Sequence, residues 1–152
     1  MRDRTETIFE GLKNGLDAEQ IDNSLRRESM SFGERTEKNF VKCLRIHFDW
    51  LLKSIVKGTK QDDHDGIDFW LSFNKNYEFP WLNNLRLPAQ VKSSPEEVDK
   101  YRNESSYIEL GKKVIVINAN PRLSGTAFKK QVRLELKRIH RLLTNDEEII
   151  HS

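Results

Sequence analysis

Lys113-Val114-Ile115-Val116-Ile117-Asn118 is the stretch on which the fold turns. Its β-branched residues fill both faces of an extended segment, the pattern of a strand covered on two sides, so it is expected at the centre of a sheet. Asn120-Pro121 ends it. Downstream, about Thr126 to Leu143 reads as a helix with Val132, Leu136, Ile139 and Leu143 on one face and Lys130, Arg133, Lys137 and Arg141 on another. Upstream, Ser94-Pro95-Glu96-Glu97 supplies an N-cap, a first-turn proline and first-turn acids, opening a helix that runs past Tyr101. Before it lie two strands, Ile67 to Phe73 and Leu85 to Ser93. Pro88 has no amide donor, which puts the early part of the second strand at an edge or a bulge. Strands alternating with helices around a central apolar strand predict an α/β three-layer sandwich with a small mixed central sheet.

A longer helix is expected from Ser31 to about Lys57, ended by Gly58, with Phe40, Val41, Leu44, Phe48, Leu51 and Leu52 on its buried face. Glu37 falls within that stripe, where a carboxylate needs a partner; Glu34, one turn earlier, is the weaker alternative. Gln61-Asp62-Asp63-His64-Asp65-Gly66 reads as a polar turn, and its His64 as solvated, not as a metal ligand. The connection between the two strands carries Tyr77, Phe79 and Trp81, aromatics expected to fold back onto the core. Residues 5–28 read as two short helices broken at Asn14-Gly15, a packing or dimer-forming appendage in preference to a DNA-contacting element. The expected organisation is a helical appendage over 1–30, one domain over 31–145 and an acidic tail over 146–152.

Composition frames these elements. The chain has 152 residues, enough for one core, with 36% hydrophobic and 33% charged residues. A formal net charge of +2 makes any nucleic-acid contact a matter of local patches. Cys43 is the single cysteine, which excludes an intramolecular disulfide and a cysteine-based zinc site and fits a reducing compartment. No apolar run reaches the roughly 20 residues of a membrane span, so a soluble, cytoplasmic protein without membrane contact is expected.

Chemistry is concentrated in Gly66-Ile67-Asp68 and Gln90-Val91-Lys92. Residues two apart on a strand share a face, so Gln90 and Lys92 point the same way about 6 to 7 Å apart. An aspartate, an amide oxygen and an amine on adjacent strands can hold a hard cation and activate a water beside it. There is no Gly-rich phosphate loop, no nucleophile elbow and no convincing Cys/His pairing.

These two motifs, with Gly33-x-x-x-Glu37 on the preceding helix, resemble the PD-(D/E)xK nuclease superfamily over residues 31–143, in the branch whose last motif is Gln-x-Lys: Mrr-type restriction nucleases and, more loosely, archaeal Holliday junction resolvases. The resemblance implies a restriction-endonuclease-like αβββαβ core, completed by a short strand near Val56 to Lys60. It implies Mg²⁺, with Mn²⁺ as a substitute, held by Asp68, Gln90, the Val91 carbonyl and Glu37, with Lys92 steering the attacking water. Glu37, Asp68, Gln90 and Lys92 are then the catalytic set, and Ser93, Lys130, Arg133, Lys137 and Arg141 the nucleic-acid contacts. The implied activity is metal-dependent DNA hydrolysis, structure-specific or restriction-type, by a homodimer acting on DNA, branched forms included. The alternative is a catalytically inactive nucleic-acid-binding or scaffolding protein on the same fold. Ile67 stands where the superfamily's name places proline, and Gln90 removes one negative charge from the site, so Gln90→Glu is expected to tighten divalent-ion binding.

Overall fold

A computed structural model describes residues 32–151, with side-chain placement through residue 145. The helices expected over residues 5–28 lie outside the described residues. Within them the chain is α/β, with a small mixed sheet of four strands and helices on both of its faces.

Helix α1 (Phe32–Phe48) buries Phe40, Leu44 and Phe48, a stripe of four-residue spacing. It stops at Phe48 and does not continue to Lys57. Leu51 N–H bonds back to the Phe48 carbonyl at 2.9 Å, and the chain turns into strand β1 (Leu52–Lys57). Leu51 and Leu52 are buried as expected, but from a turn and a strand; Ile55 and Val56 favour the extended chain. The polar turn that follows contains a short helix, α2 (Lys60–His64), opened by a capping box in which Thr59 and Asp62 exchange side-chain and backbone hydrogen bonds.

Strand β2 (Phe69–Phe73) alternates, with Phe69, Leu71 and Phe73 buried and Trp70 and Ser72 half-buried. It pairs antiparallel with β1 and with β3 (Arg86–Lys92). Along the intervening connection Phe79 and Leu82 join the core, and Trp81 stacks on His140 with ring centroids 4.7 Å apart, whereas Tyr77 is fully exposed. Pro88 fits its strand because the first half of β3, Arg86 to Pro88, pairs with β2 alone; from Ala89, which pairs with both neighbours, to Lys92 the strand pairs in parallel with β4 (Ile115–Asn118). Ser94 caps helix α3 (Pro95–Arg102) as expected, accepting from Glu97 N–H, and helix α4 (Ser105–Glu109) follows.

The sheet order is β1-β2-β3-β4, so the expected central strand β4 lies at an edge. Its two apolar faces are nevertheless covered, Val114 and Val116 by Val98, Tyr101 and Tyr107 from α3 and α4, and Ile115 and Ile117 by the large core shared with α1 and α5 (Gly125–His151). Side chains of α5 stand in for a further strand. Gln131 accepts from Asn118 N–H at 2.9 Å and donates to its carbonyl at 3.0 Å. Glu135 accepts from Val116 N–H at 2.9 Å, and Arg138 donates to the Val114 carbonyl at 2.7 Å. An edge closed in this way carries the sequence pattern of an interior strand. Helix α5 continues to His151, through the segment expected as a separate acidic tail. Among the described residues no helix is long and apolar enough to cross a membrane.

Candidate active site

The pairing of β2 with β3 ends at Phe69 and Ala89, and the site occupies the gap where the two strands part. Asp68 N–H still reaches the Ala89 carbonyl at 2.9 Å. One step further, Val91 N–H donates to Asp68 Oδ2 at 2.8 Å, so a carboxylate takes the place of a strand carbonyl. The N–H and C=O of one strand residue point to the same side, so the Val91 carbonyl faces the same opening. Asp68, Gln90, Val91 and Lys92 therefore converge, at the end of the sheet where β1 and β3 finish and β2 begins.

Asp68 is only 6% exposed. Burial pushes its carboxyl up to about 6 from the usual 3.8, against the opposing pull of the Val91 N–H; Glu37 raises it further, while Lys57 and Lys92 lower it. Among the described residues no Lys or Arg comes within ion-pair distance of it, and Oδ1 takes no hydrogen bond. Glu37, from α1, is near enough for its charge to act on Asp68 but is itself bound by Lys57 Nζ at 2.7 Å. The partner that a carboxylate in this stripe needs is thus Lys57, the last residue of β1. Lys57 was not foreseen as a site residue, because residues 52–57 read as the end of a helix; its position just before Gly58 was the available signal.

Gln90 and Lys92 share a face, as strand geometry requires. The amide orientation that satisfies Gln90 has Nε2 donating to the Gly66 carbonyl at 2.7 Å and Oε1 accepting from Lys92 Nζ at 3.2 Å. The same carbonyl accepts from Tyr101 Oη at 2.8 Å. Lys92 Nζ lies 5.6 Å from the centre of the Tyr101 ring, and the Tyr101 hydroxyl is held well above the usual tyrosine range by burial and by the charge of Asp68. Tyr101 was read only as a residue passed by a helix; its spacing from Val98, three positions earlier on the same buried face, was the signal that it points inward.

The expected nucleic-acid contacts are more scattered. Ser93 Oγ donates to Glu97 Oε2 at 3.0 Å, which ties it to the first turn of α3. Lys130, Lys137 and Arg141 are exposed on the outer side of α5. Arg133 is set apart from them, half-buried, bound to Glu78 at 2.8 Å and lying over the Phe48 ring. None of these contacts joins Asp68, Gln90 or Lys92. His64 is exposed, in line with a solvated role.

Among the described residues no three His, Cys, Asp or Glu side chains cluster as a metal-binding group. The donors available at the parted strands are instead two carboxylates of different accessibility, one amide oxygen and one backbone carbonyl. This all-oxygen set, with a buried acid whose charge no contacting cation offsets, suits a hard divalent ion that keeps part of its hydration shell. No family model, curated protein or solved structure matches the chain.

Proposed function

We propose that this protein is a metal-dependent DNA endonuclease with a restriction-endonuclease-like core, in which Asp68, Gln90, Lys92 and Glu37 form the catalytic centre. The observation that carries the reading is the buried Asp68, pushed up to about 6, beside Gln90 and Lys92 where two strands part. The succession α1, β1, β2, β3, α3, β4, with the five-residue helices α2 and α4 set between β1 and β2 and between α3 and β4, supports it, since apart from those two it follows the αβββαβ order of that core.

Asp68 Oδ1, Gln90 Oε1 and the Val91 carbonyl would hold a Mg²⁺ or Mn²⁺ ion, with Glu37 reaching it through a bound water. The ion, when bound, supplies an acidified water and neutralises charge on a scissile phosphate. Lys92 sets a fixed positive charge beside the position of the reacting phosphate, where charge developing on its oxygens is stabilised. Lys57 holds Glu37 at the edge of the gap, and Tyr101 closes the opposite side to water. Lys130, Lys137 and Arg141 are exposed cations that would follow a phosphate backbone without reading bases, which favours recognition of DNA shape, branched forms included.

One observation favours a second reading, a non-catalytic nucleic-acid-binding protein: Glu37 with Lys57 and Gln90 with Lys92 already satisfy one another. Incubation of supercoiled plasmid with Mg²⁺ or Mn²⁺ separates the two. Nicking by the wild type that disappears in folded Asp68→Asn and Lys92→Ala variants is expected, with a loss of at least a hundredfold. Retained cleavage in either variant sinks the mechanism, and no cleavage by the wild type in either metal leaves the binding protein.

A further inference from the structure

We propose that the Gly66 carbonyl, shared between Tyr101 and Gln90, is what requires an amide at position 90, so that Gly66 and Tyr101 are positioning residues for the Gln90 oxygen. The inference rests on the nuclease reading only for the purpose of that oxygen. Its geometry stands by itself.

A carbonyl oxygen has two lone pairs, and Gly66 uses both, one for Tyr101 Oη at 2.8 Å and one for Gln90 Nε2 at 2.7 Å. With the nitrogen so engaged, Oε1 is directed to Lys92 Nζ at 3.2 Å, on the side of the parted strands. The carbonyl cannot readily move to suit another side chain. Gly66 has φ +80°, where only glycine is relaxed, and a Cβ there would meet Ser106 Oγ at 2.8 Å and the Tyr101 ring at 3.2 Å. Tyr101 is itself buried, in the second core with Val98, Tyr107 and Val116.

A carboxylate has no proton to donate. Glutamate at position 90 would set an ionised oxygen against the Gly66 oxygen at hydrogen-bonding distance, an arrangement that costs more than a lost hydrogen bond because a buried charge is left facing a negative dipole. Gln90→Glu therefore carries a cost to the metal-free fold, beyond the gain in divalent-ion binding expected from a restored ligand. Glutamine is not a weakened glutamate here: its nitrogen is the anchor and its oxygen is what the anchor aims.

Thermal unfolding without metal at pH 8 tests this, comparing Gln90, Gln90→Met and Gln90→Glu in an Asp68→Asn background so that repulsion from Asp68 does not enter. Methionine removes the anchor without a charge, whereas glutamate keeps a possible ion pair with Lys92. The expected order of Tm is Gln, then Met, then Glu, with Glu lower than Gln by about 5 °C or more. Glu at or above Met overturns the proposal. In the otherwise native chain, Tyr101→Phe keeps the ring and removes one donor to Gly66, and should shift the Gln90 side-chain amide resonances in a ¹⁵N-correlated NMR spectrum. Resonances that do not move mean that the carbonyl is not shared, which also overturns it. Neither arm uses DNA or a divalent ion, so each outcome is independent of whether the protein cleaves.

Discussion

Asp68 and Glu135 are buried almost equally, 6% and 4% exposed, and each accepts a backbone N–H from a strand, that of Val91 at 2.8 Å and that of Val116 at 2.9 Å. Their surroundings differ in one respect. Glu135 is gripped by two arginines, Arg138 at 2.8 Å and Arg102 at 3.3 Å, and Arg138 goes on to the Lys112 and Val114 carbonyls. Asp68 feels Lys57 and Lys92 at a distance and the repulsion of Glu37, and burial pushes its carboxyl up to about 6. A buried acid with its counter-ions in place belongs to the architecture, here the closure of the β4 edge. A buried acid without them is costly to keep ionised, and a divalent cation at the parted strands would relieve that cost.

The comparison is broken most severely at Glu135. Glu135→Ala removes the acceptor for Val116 N–H and leaves two arginines without their acid, so a loss on the order of 3–5 kcal/mol is expected in denaturant unfolding. A loss below about 1 kcal/mol would mean that the edge of β4 is not held by this acid.

At Asp68 the expected effect has the opposite sign. Its folded pKa of about 6 lies above the unfolded value near 3.8, so the stability it contributes is present below about pH 4 and is lost as pH rises through 6. Asp68→Asn keeps an oxygen for Val91 N–H and removes the charge. Without metal, the variant should match the wild type near pH 4 and exceed it by on the order of 2–3 kcal/mol above pH 7. Unfolding curves across that range check the sign; a variant less stable than the wild type at pH 7.5 would place a stabilising partner on Asp68.

The same contrast shows what could be read from the sequence. Strands β2 and β3, the Ser94 cap of α3 and the shared face of Gln90 and Lys92 are local consequences of alternation and capping, and all three are found. Strand β1 was concealed from periodicity because Leu51, Leu52, Ile55 and Val56 can be assigned to helix or strand, and the short strand that the resemblance implied near Val56 to Lys60 lies earlier, at Leu52–Lys57, with Thr59 instead capping a helix. Its misreading also hid Lys57, the partner of Glu37. The position of β4 was legible only as burial: its open edge is paired by Gln131, Glu135 and Arg138, side chains remote in sequence, and a buried strand looks alike whether its neighbour is a strand or a helix face. Asp68 and Lys92 could be singled out from their motifs. That Gly66 anchors Gln90 could not, because it depends on Tyr101 returning from α3 to the same carbonyl.

Asp68 is proposed as an acid built for a cation, and Mn²⁺-dependent thermal stability tests that role most directly. Ligand that binds the folded state alone raises Tm with its concentration. At pH 7.5 the wild type should gain about 5 °C or more once Mn²⁺ exceeds its dissociation constant by about a hundredfold, and folded Asp68→Asn should gain almost nothing. A wild type indifferent to Mn²⁺ and Mg²⁺, or a variant that gains as much as the wild type, would contradict the account.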